Sequence, residues 1–182
     1  CSSDLATGAA LIGWLITEKL RDGHATSLGA ASGAVAGLVA ITPACAFVEP
    51  WAAVLIGLIA GAICALAVGL KYKLGFDDSL DVVGVHLFGG IWGSLSIGLF
   101  ASKSANELGG DGIFSGGGTH LLAVQALGVI TVMIYSFVVT YILGKVLDAT
   151  IGFRVDKNEE VSGIDFAEHR ETAYETLVGA KL

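Results

Sequence analysis

His86 is the residue of this sequence whose type and position most directly suggest chemistry. It lies in the stretch 82–102, which contains no other ionisable side chain. An apolar segment of this length can cross a bilayer, and an ionisable ring at that depth is costly. A neutral imidazole donates from one ring nitrogen and accepts at the other. The ring is therefore a candidate for passing a proton or a hydrogen-bonded solute along a narrow apolar channel.

The helix that must position this ring has a face rich in glycine. The 3.6-residue period predicts that four residues share the face of His86: Val82, Gly89, Gly90 and Gly93. A face of this kind packs against protein, so we expect the ring to point into a helix bundle. It serves there either as a pore residue or as a histidine that simply bonds a neighbouring helix. Asp81 is about 140° away by the same period, so no carboxylate is expected beside the ring.

Three acids, Asp77, Asp78 and Asp81, precede this helix. Carboxylates at a helix start interact favourably with the exposed backbone amides and with the positive end of the dipole. We interpret Asp78 and Asp81 as structural acids of the helix start. A role at the exit of a pore is the alternative.

The composition indicates a helical membrane protein. The 182 residues are 54% hydrophobic and only 15% charged, against about 25% in soluble domains. A soluble fold would need several wholly apolar helices in one small domain. The net charge of −7 and the lack of a basic stripe argue against binding nucleic acid. The sequence has no catalytic Ser/His/Asp set, phosphate loop, HExxH or CxxC motif. We therefore predict a protein that is not an enzyme and needs no metal or cofactor.

The apolar segments predict an all-α fold, a polytopic transmembrane helical bundle. We place the membrane domain at 1–151 and a polar tail at 152–182. The predicted spans are 4–20, 27–42, 51–71, 78–102 and 119–148. The chain opens at Cys1 without a signal peptide, and we interpret it as a fragment of a longer protein.

Basic residues predict the orientation of this bundle. Seven of them follow the first, third and fifth spans, whereas the loops on the other side contain only Lys103. The positive-inside rule therefore places the tail in the cytoplasm. Small-residue motifs predict close helix packing, because missing side chains let backbones approach. These glycines are spaced by four: Gly29, Gly33 and Gly37, then Gly57 and Gly61, then Gly89 and Gly93.

Three stretches resemble one known family when they are taken together. The first is Asp78-Ser-Leu-Asp81-Val-Val-Gly-Val-His86-Leu-Phe-Gly-Gly, and the second is residues 28–43, which end in Ala-Ile-Thr-Pro. The third is the tail, with Gly-Phe-Arg154-Val and His169-Arg-Glu-Thr-Ala-Tyr. In this order they resemble the ammonium transporter family (Amt/Mep/Rh), and the chain is similar to the C-terminal portion of a bacterial-type member.

The resemblance implies a specific function. Members form homotrimers with one hydrophobic pore in each subunit, and this chain corresponds to the last five spans and the tail. His86 matches the second of two pore histidines. Val82 and Val35 match apolar residues of the pore wall, and Thr42 matches a position near the outer half of the pore. The implied activity is ammonium transport across the plasma membrane, the inner membrane of a bacterium. Ammonium would be deprotonated, and ammonia, a relayed proton or both would pass. An ammonium sensor on the same scaffold and a purely structural oligomerisation fragment are the alternatives.

The resemblance also implies a regulatory tail. Its matching residues are Arg154, Asp165, His169, Glu171 and Tyr174. The cytoplasmic face of family members can be plugged by a PII signal protein in nitrogen regulation, whereas composition alone favours a merely solvated tail. Two positions depart from the family, which commonly has glycine where this chain has Leu87 and Arg170.

Overall fold

The computed structural model of the chain describes residues 1–171. Residue contacts divide the chain into two units, Cys1–Val132 and a second that begins at Met133. Both units are built from helices, and within residues 1–171 the only β-type pairing is one antiparallel bridge between Val48 and Ala101. The predicted all-α fold is confirmed.

The helices follow one another with short connections. The first unit contains α1 (Ser2–Asp22), α2 (Ser27–Ile41), α3 (Pro50–Ala67), α4 (Leu70–Leu74) and α5 (Phe88–Phe100). A π-helical turn (Val83–Leu87) leads directly into α5, and a 3-10 turn (Ile113–Ser115) follows it. Residues of α6 (His120–Thr150) belong to both units, and the second unit adds α7 (Lys157–Ser162) and a π-helical turn (Asp165–His169).

Local signals set several helix ends of the first unit. Helix α1 stops at Gly23, whose φ of 83° lies in the left-handed region that suits glycine. Helix α2 begins at a threonine cap, because the Thr26 hydroxyl accepts from the Gly29 amide at 2.9 Å. That hydroxyl donates in turn to the Glu18 carboxylate of α1 at 2.8 Å. Helix α3 starts at Pro50, where the missing amide proton costs nothing.

The predicted glycine motifs lie where helices touch, which confirms their packing role. On α3, Gly57 and Gly61 lie directly against the carbonyl groups of Ala6 and Ala10 of α1. On α5, Gly93 meets a backbone carbonyl of α2 in the same way. A Cβ atom at any of these glycines would overlap backbone that cannot rotate away. Close backbone approach of this kind drives helix association in lipid.

We expect Gly61→Ala to destabilise the full-length protein by about 1–3 kcal/mol, because the new methyl group overlaps the Ala10 carbonyl. Thermal unfolding in detergent measures the loss. Gly8→Ala on α1 is the matched control, since within the described chain no other helix lies within 4 Å of the added methyl. Equal stability of the two variants would contradict the packing argument.

Three helical segments have the length and hydropathy of membrane spans. They are Pro50–Leu74, Val83–Phe100 and His120–Thr150, and the apolar helix Ser27–Ile41 is shorter. Helix α1 is 21 residues long but carries charged residues near both ends. The assignment of five spans and of a tail from 152 stays a prediction.

Candidate functional site

The helix that carries His86 begins at a carboxylate cap. The two Asp78 side-chain oxygens accept from the amides of Val82 at 2.7 Å and of Val83 at 2.9 Å. These amides have no partner within the helix, so the carboxylate satisfies both and opposes the positive dipole end. The interpretation of Asp78 as a structural acid is supported by this geometry.

The first turn of the same segment is π-helical, which the sequence did not predict. Gly84 of this turn lies against Val68, so a side chain does not fit there: an added Cβ would stand 2.6 Å from the Val68 Cγ1. Val85 is buried, and its carbonyl accepts a weak bond from the Cys64 thiol at 3.7 Å. Cys64 is buried as well, and we interpret it as a packing residue. His86 follows Val85 and is exposed on the other side of the turn.

A cleft of about 180 Å³ lies beside the His86 ring. It is lined by residues of α2, of the loop before the π-helical turn and of the turn itself: Ala31, Ser32, Val35, Leu80, Asp81, Val85 and His86. Its wall is mostly apolar, and one carboxylate, one imidazole and one hydroxyl supply the polar groups. This cleft can accept a small, weakly polar molecule and offers it two groups that exchange protons.

Asp81 lines the same cleft as His86, although the period of 3.6 residues places it on another face of the helix. The prediction assumed 3.6 residues per turn through this stretch. The π-helical turn instead pairs residues five apart, and Asp81 precedes it with a left-handed φ of 57°. Both features depart from the regular helix on which that prediction depends.

The predicted glycine-lined face of His86 is also only partly correct. Val82 and Gly90, four residues before and after the ring, lie on the open side with it. Gly89 and Gly93 are buried against α2 on the neighbouring face. The π-helical turn changes the angular position of the residues around the helix. The His86 ring therefore lies at an open cleft of this chain and not on the helix face that contains Gly89 and Gly93. Leu87 does not line the cleft.

The other predicted pore residues are at different distances from the cleft. Val35 lines it and is 43% exposed, whereas Val82 is 50% exposed and lies one turn before the ring. Thr42 follows Val35 by seven residues, roughly 10 Å along a helix, and its hydroxyl donates to the Leu38 carbonyl at 2.6 Å. The structure thus brings His86 and Val35 together and leaves Thr42 outside this cleft. The pore roles of all four residues stay predictions.

Two residues of this site were not found from the sequence. Ser32 lies three residues before Val35 on α2, and that spacing is a signal that places both on one helix face. Lys71 donates to the Asp81 carboxylate at 2.6 Å. No local sequence pattern predicts this ion pair, because the pair depends on how the loop between α4 and the π-helical turn folds. Among residues 1–171, no group of three or more His, Cys, Asp or Glu side chains could hold a metal ion.

The tail residues lie in the second unit. Arg154 forms an ion pair with Glu160 at 2.7 Å, and this hydrogen bond, together with the positive charge, holds the pKa of Glu160 below its ordinary value of 4.5. The Arg170 amide donates to the Asp165 carbonyl and closes the π-helical turn that contains His169, and the Glu171 amide donates to the same carbonyl at 3.1 Å. Arg170 has a left-handed φ of 55°, a conformation that glycine adopts more easily. Tyr174 lies outside the described residues.

Comparison with known proteins identifies the family. Residues 1–174 match the Ammonium Transporter Family. The chain belongs to this family. The ammonium transporter of Mycobacterium bovis is 54% identical over 184 residues, which cover 98% of this chain and 39% of that protein. This is a family of transporters, not of enzymes, and together with the apolar helices it establishes a multi-pass membrane protein.

Solved structures of ammonium transporter family members share the fold. Saccharomyces cerevisiae Mep2 is 34% identical with a TM-score of 0.78, covering 86% of this chain and 36% of that one. A structure described as a Sensor Amt Protein is 32% identical with a TM-score of 0.80, covering 92% of this chain and 40% of that one. The chain thus spans about two-fifths of the length of its relatives and has the ammonium transporter fold over that part. The predicted resemblance and fold are confirmed.

Proposed function

We propose that the full-length protein transports ammonium, and that this chain supplies one wall of its pore. The observation that carries the proposal is the cleft in which His86 lies beside Val35 and Asp81. In a member of the ammonium transporter family, an imidazole in a mostly apolar cleft on a membrane-spanning segment is suited to a solute that must lose its charge.

The physical chemistry of the substrate supports this assignment. Transferring bare ammonium into an apolar pore forfeits its hydration at large cost, whereas neutral ammonia crosses easily. A neutral imidazole can accept a hydrogen bond from ammonia or relay the released proton separately. We propose that His86 forms this path together with residues that lie elsewhere in the full-length protein. Val82 and Val35 supply apolar wall, and Thr42 lies towards the outer half of the pore.

Reconstitution of the full-length protein in proteoliposomes tests the proposal. An inward ammonium gradient should produce uptake that potassium of equal concentration does not produce, measured by internal pH and by transient current. Protein-free liposomes supply the background. Uptake equal to that background would overturn the transport assignment.

An ammonium sensor on the same scaffold is the second candidate, and the likeness to the Sensor Amt Protein favours it. A sensor would bind ammonium and change the contacts of its tail without passing the solute. For a sensor we expect no uptake of ammonium into the liposomes. We also expect that ammonium protects the tail from proteolysis. Uptake at a rate far above the liposome background identifies the transporter.

We further propose the assembly and setting of the protein: a homotrimer in a bacterial inner membrane, with a cytoplasmic C-terminus. The positive-inside bias supports the orientation. The tail residues Arg154, Asp165, His169, Glu171 and Tyr174 form a regulatory segment in this proposal, with a PII signal protein as the candidate partner.

Deleting 155–182 from the full-length protein is expected to weaken uptake by about fivefold or to abolish capture of a PII protein, because the tail couples the cytoplasmic face to the pore. Proteoliposome uptake and co-purification with PII measure the two effects. Lys157→Ala, an exposed residue of α7, is the control and should behave as wild type. Wild-type results for the deletion in both assays would exclude a regulatory tail.

A further inference from the structure

Lys71, the second residue of α4, bonds the segment that precedes His86. Its ammonium nitrogen donates to an Asp81 carboxylate oxygen at 2.6 Å and to the Asp78 backbone carbonyl at 2.9 Å. The two acceptors are three residues apart in one turn, so a single charged group fixes both ends of that turn. The Asp81 amide also donates weakly to the Asp78 carbonyl at 3.3 Å.

This ion pair lies in a partly desolvated place. The Lys71 side chain is 16% exposed and the Asp81 side chain 31% exposed. Fully exposed pairs contribute little, whereas removing one partner of a shielded pair leaves an uncompensated charge. Loss of the lysine would therefore leave the carboxylate free to move towards water or towards the cleft.

The pair holds a residue whose backbone is unusual. Asp81 has a φ of 57°, which a non-glycine residue adopts only where its surroundings hold it. Its carbonyl accepts from the Val85 amide at 2.8 Å, and so it is hydrogen-bonded into the turn that carries His86. A continuous set of bonds thus runs from Lys71 through Asp81 to the residue beside the imidazole.

We propose that Lys71 is a positioning residue that sets the width and charge of the mouth of the His86 cleft. It does so by holding Asp81 at the cleft wall and fixing the turn from which the π-helical segment starts. The inference rests on the proposed transport function. In the working transporter the pair controls how fast a small amine passes this mouth and how well ammonium is distinguished from the larger methylammonium.

The test compares four full-length proteins in proteoliposomes: wild type, K71M, D81N and the double variant K71M/D81N. Uptake of ammonium and of methylammonium is measured for each, normalised to the amount of folded protein eluting in size-exclusion chromatography.

K71M is expected to lower the ammonium rate about fivefold and to change the ammonium-to-methylammonium ratio, since small displacements of a site reduce rates strongly. In the D81N background, the same substitution should change both quantities far less, because only the bond to the Asp78 carbonyl is then lost. Lys73→Met, on the same short helix and exposed, is the matched control and should leave both unchanged.

Each outcome separates this inference from the proposed function. Absence of wild-type uptake contradicts the proposed function itself. With wild-type uptake present, a K71M protein with wild-type rate and ratio overturns the positioning role, and so does an equal fall in both backgrounds. If the role of Lys71 is purely structural, K71M lowers both uptake rates in proportion and leaves their ratio unchanged. That result also contradicts the positioning role. If K71M alone does not assemble, K71M/D81N is compared with D81N: equal rates support the inference and a further fivefold fall overturns it.

Discussion

Replacing His86 by alanine in the full-length protein is expected to lower the maximum rate of ammonium uptake by about a hundredfold, or to let potassium follow ammonium. The ring is one of the two proton-exchanging groups that line the cleft beside Val35. Alanine removes the group that accepts the hydrogen bond or relays the proton, and it widens a cleft of about 180 Å³. Uptake of ammonium and of potassium by proteoliposomes measures the rate and the selectivity.

The control for this variant is His24→Ala. His24 is exposed in the loop between α1 and α2, and its ring bonds the Asp22 carbonyl at 3.0 Å. Loss of an arbitrary exposed histidine should leave rate and selectivity at wild-type values. If H86A behaves in the same way as H24A, the imidazole has no part in transport. The proposed path would then lie elsewhere in the full-length protein.

The parts of the fold that follow from local sequence were predictable. Helix positions and their close packing depend on apolar runs and on small residues spaced by four, and both can be counted along the chain. Gly57 and Gly61 therefore lie where the motif places them, against α1. The cap at Asp78 was predictable for the same reason, because an acid before an apolar helix needs no distant partner to bond its amides.

The side of the helix on which His86 lies was not predictable in this way. It depends on a single π-helical turn, Val83–Leu87, which changes the phase of every residue after it. Residues of that turn contact a different helix, since Gly84 packs on Val68 and the Val85 carbonyl accepts from the Cys64 thiol, and no local pattern predicts such contacts. A periodicity argument assumes one helix type throughout, so it does not predict that Asp81 and His86 line one cleft.

Asp78→Ala is expected to lower the free energy of unfolding by about 2 kcal/mol and the maximum uptake rate by about tenfold. Both oxygens of this carboxylate are used, one on the Val82 amide and one on the Val83 amide. Without them the first turn frays, and fraying displaces a ring only three residues further on. Thermal unfolding in detergent and proteoliposome uptake measure the two effects.

A graded series shows whether the cap acts through these two bonds. D78N keeps one good acceptor oxygen, so its stability and rate should fall between those of wild type and D78A. Ser79→Ala changes the neighbouring exposed residue and should match wild type in both measurements. If D78A loses rate while its unfolding is unchanged, the carboxylate acts on the solute and not through the helix start. If it loses stability while its rate is unchanged, the turn that holds His86 does not limit transport, and the positioning of the ring has to be assigned to Lys71 and Asp81 alone.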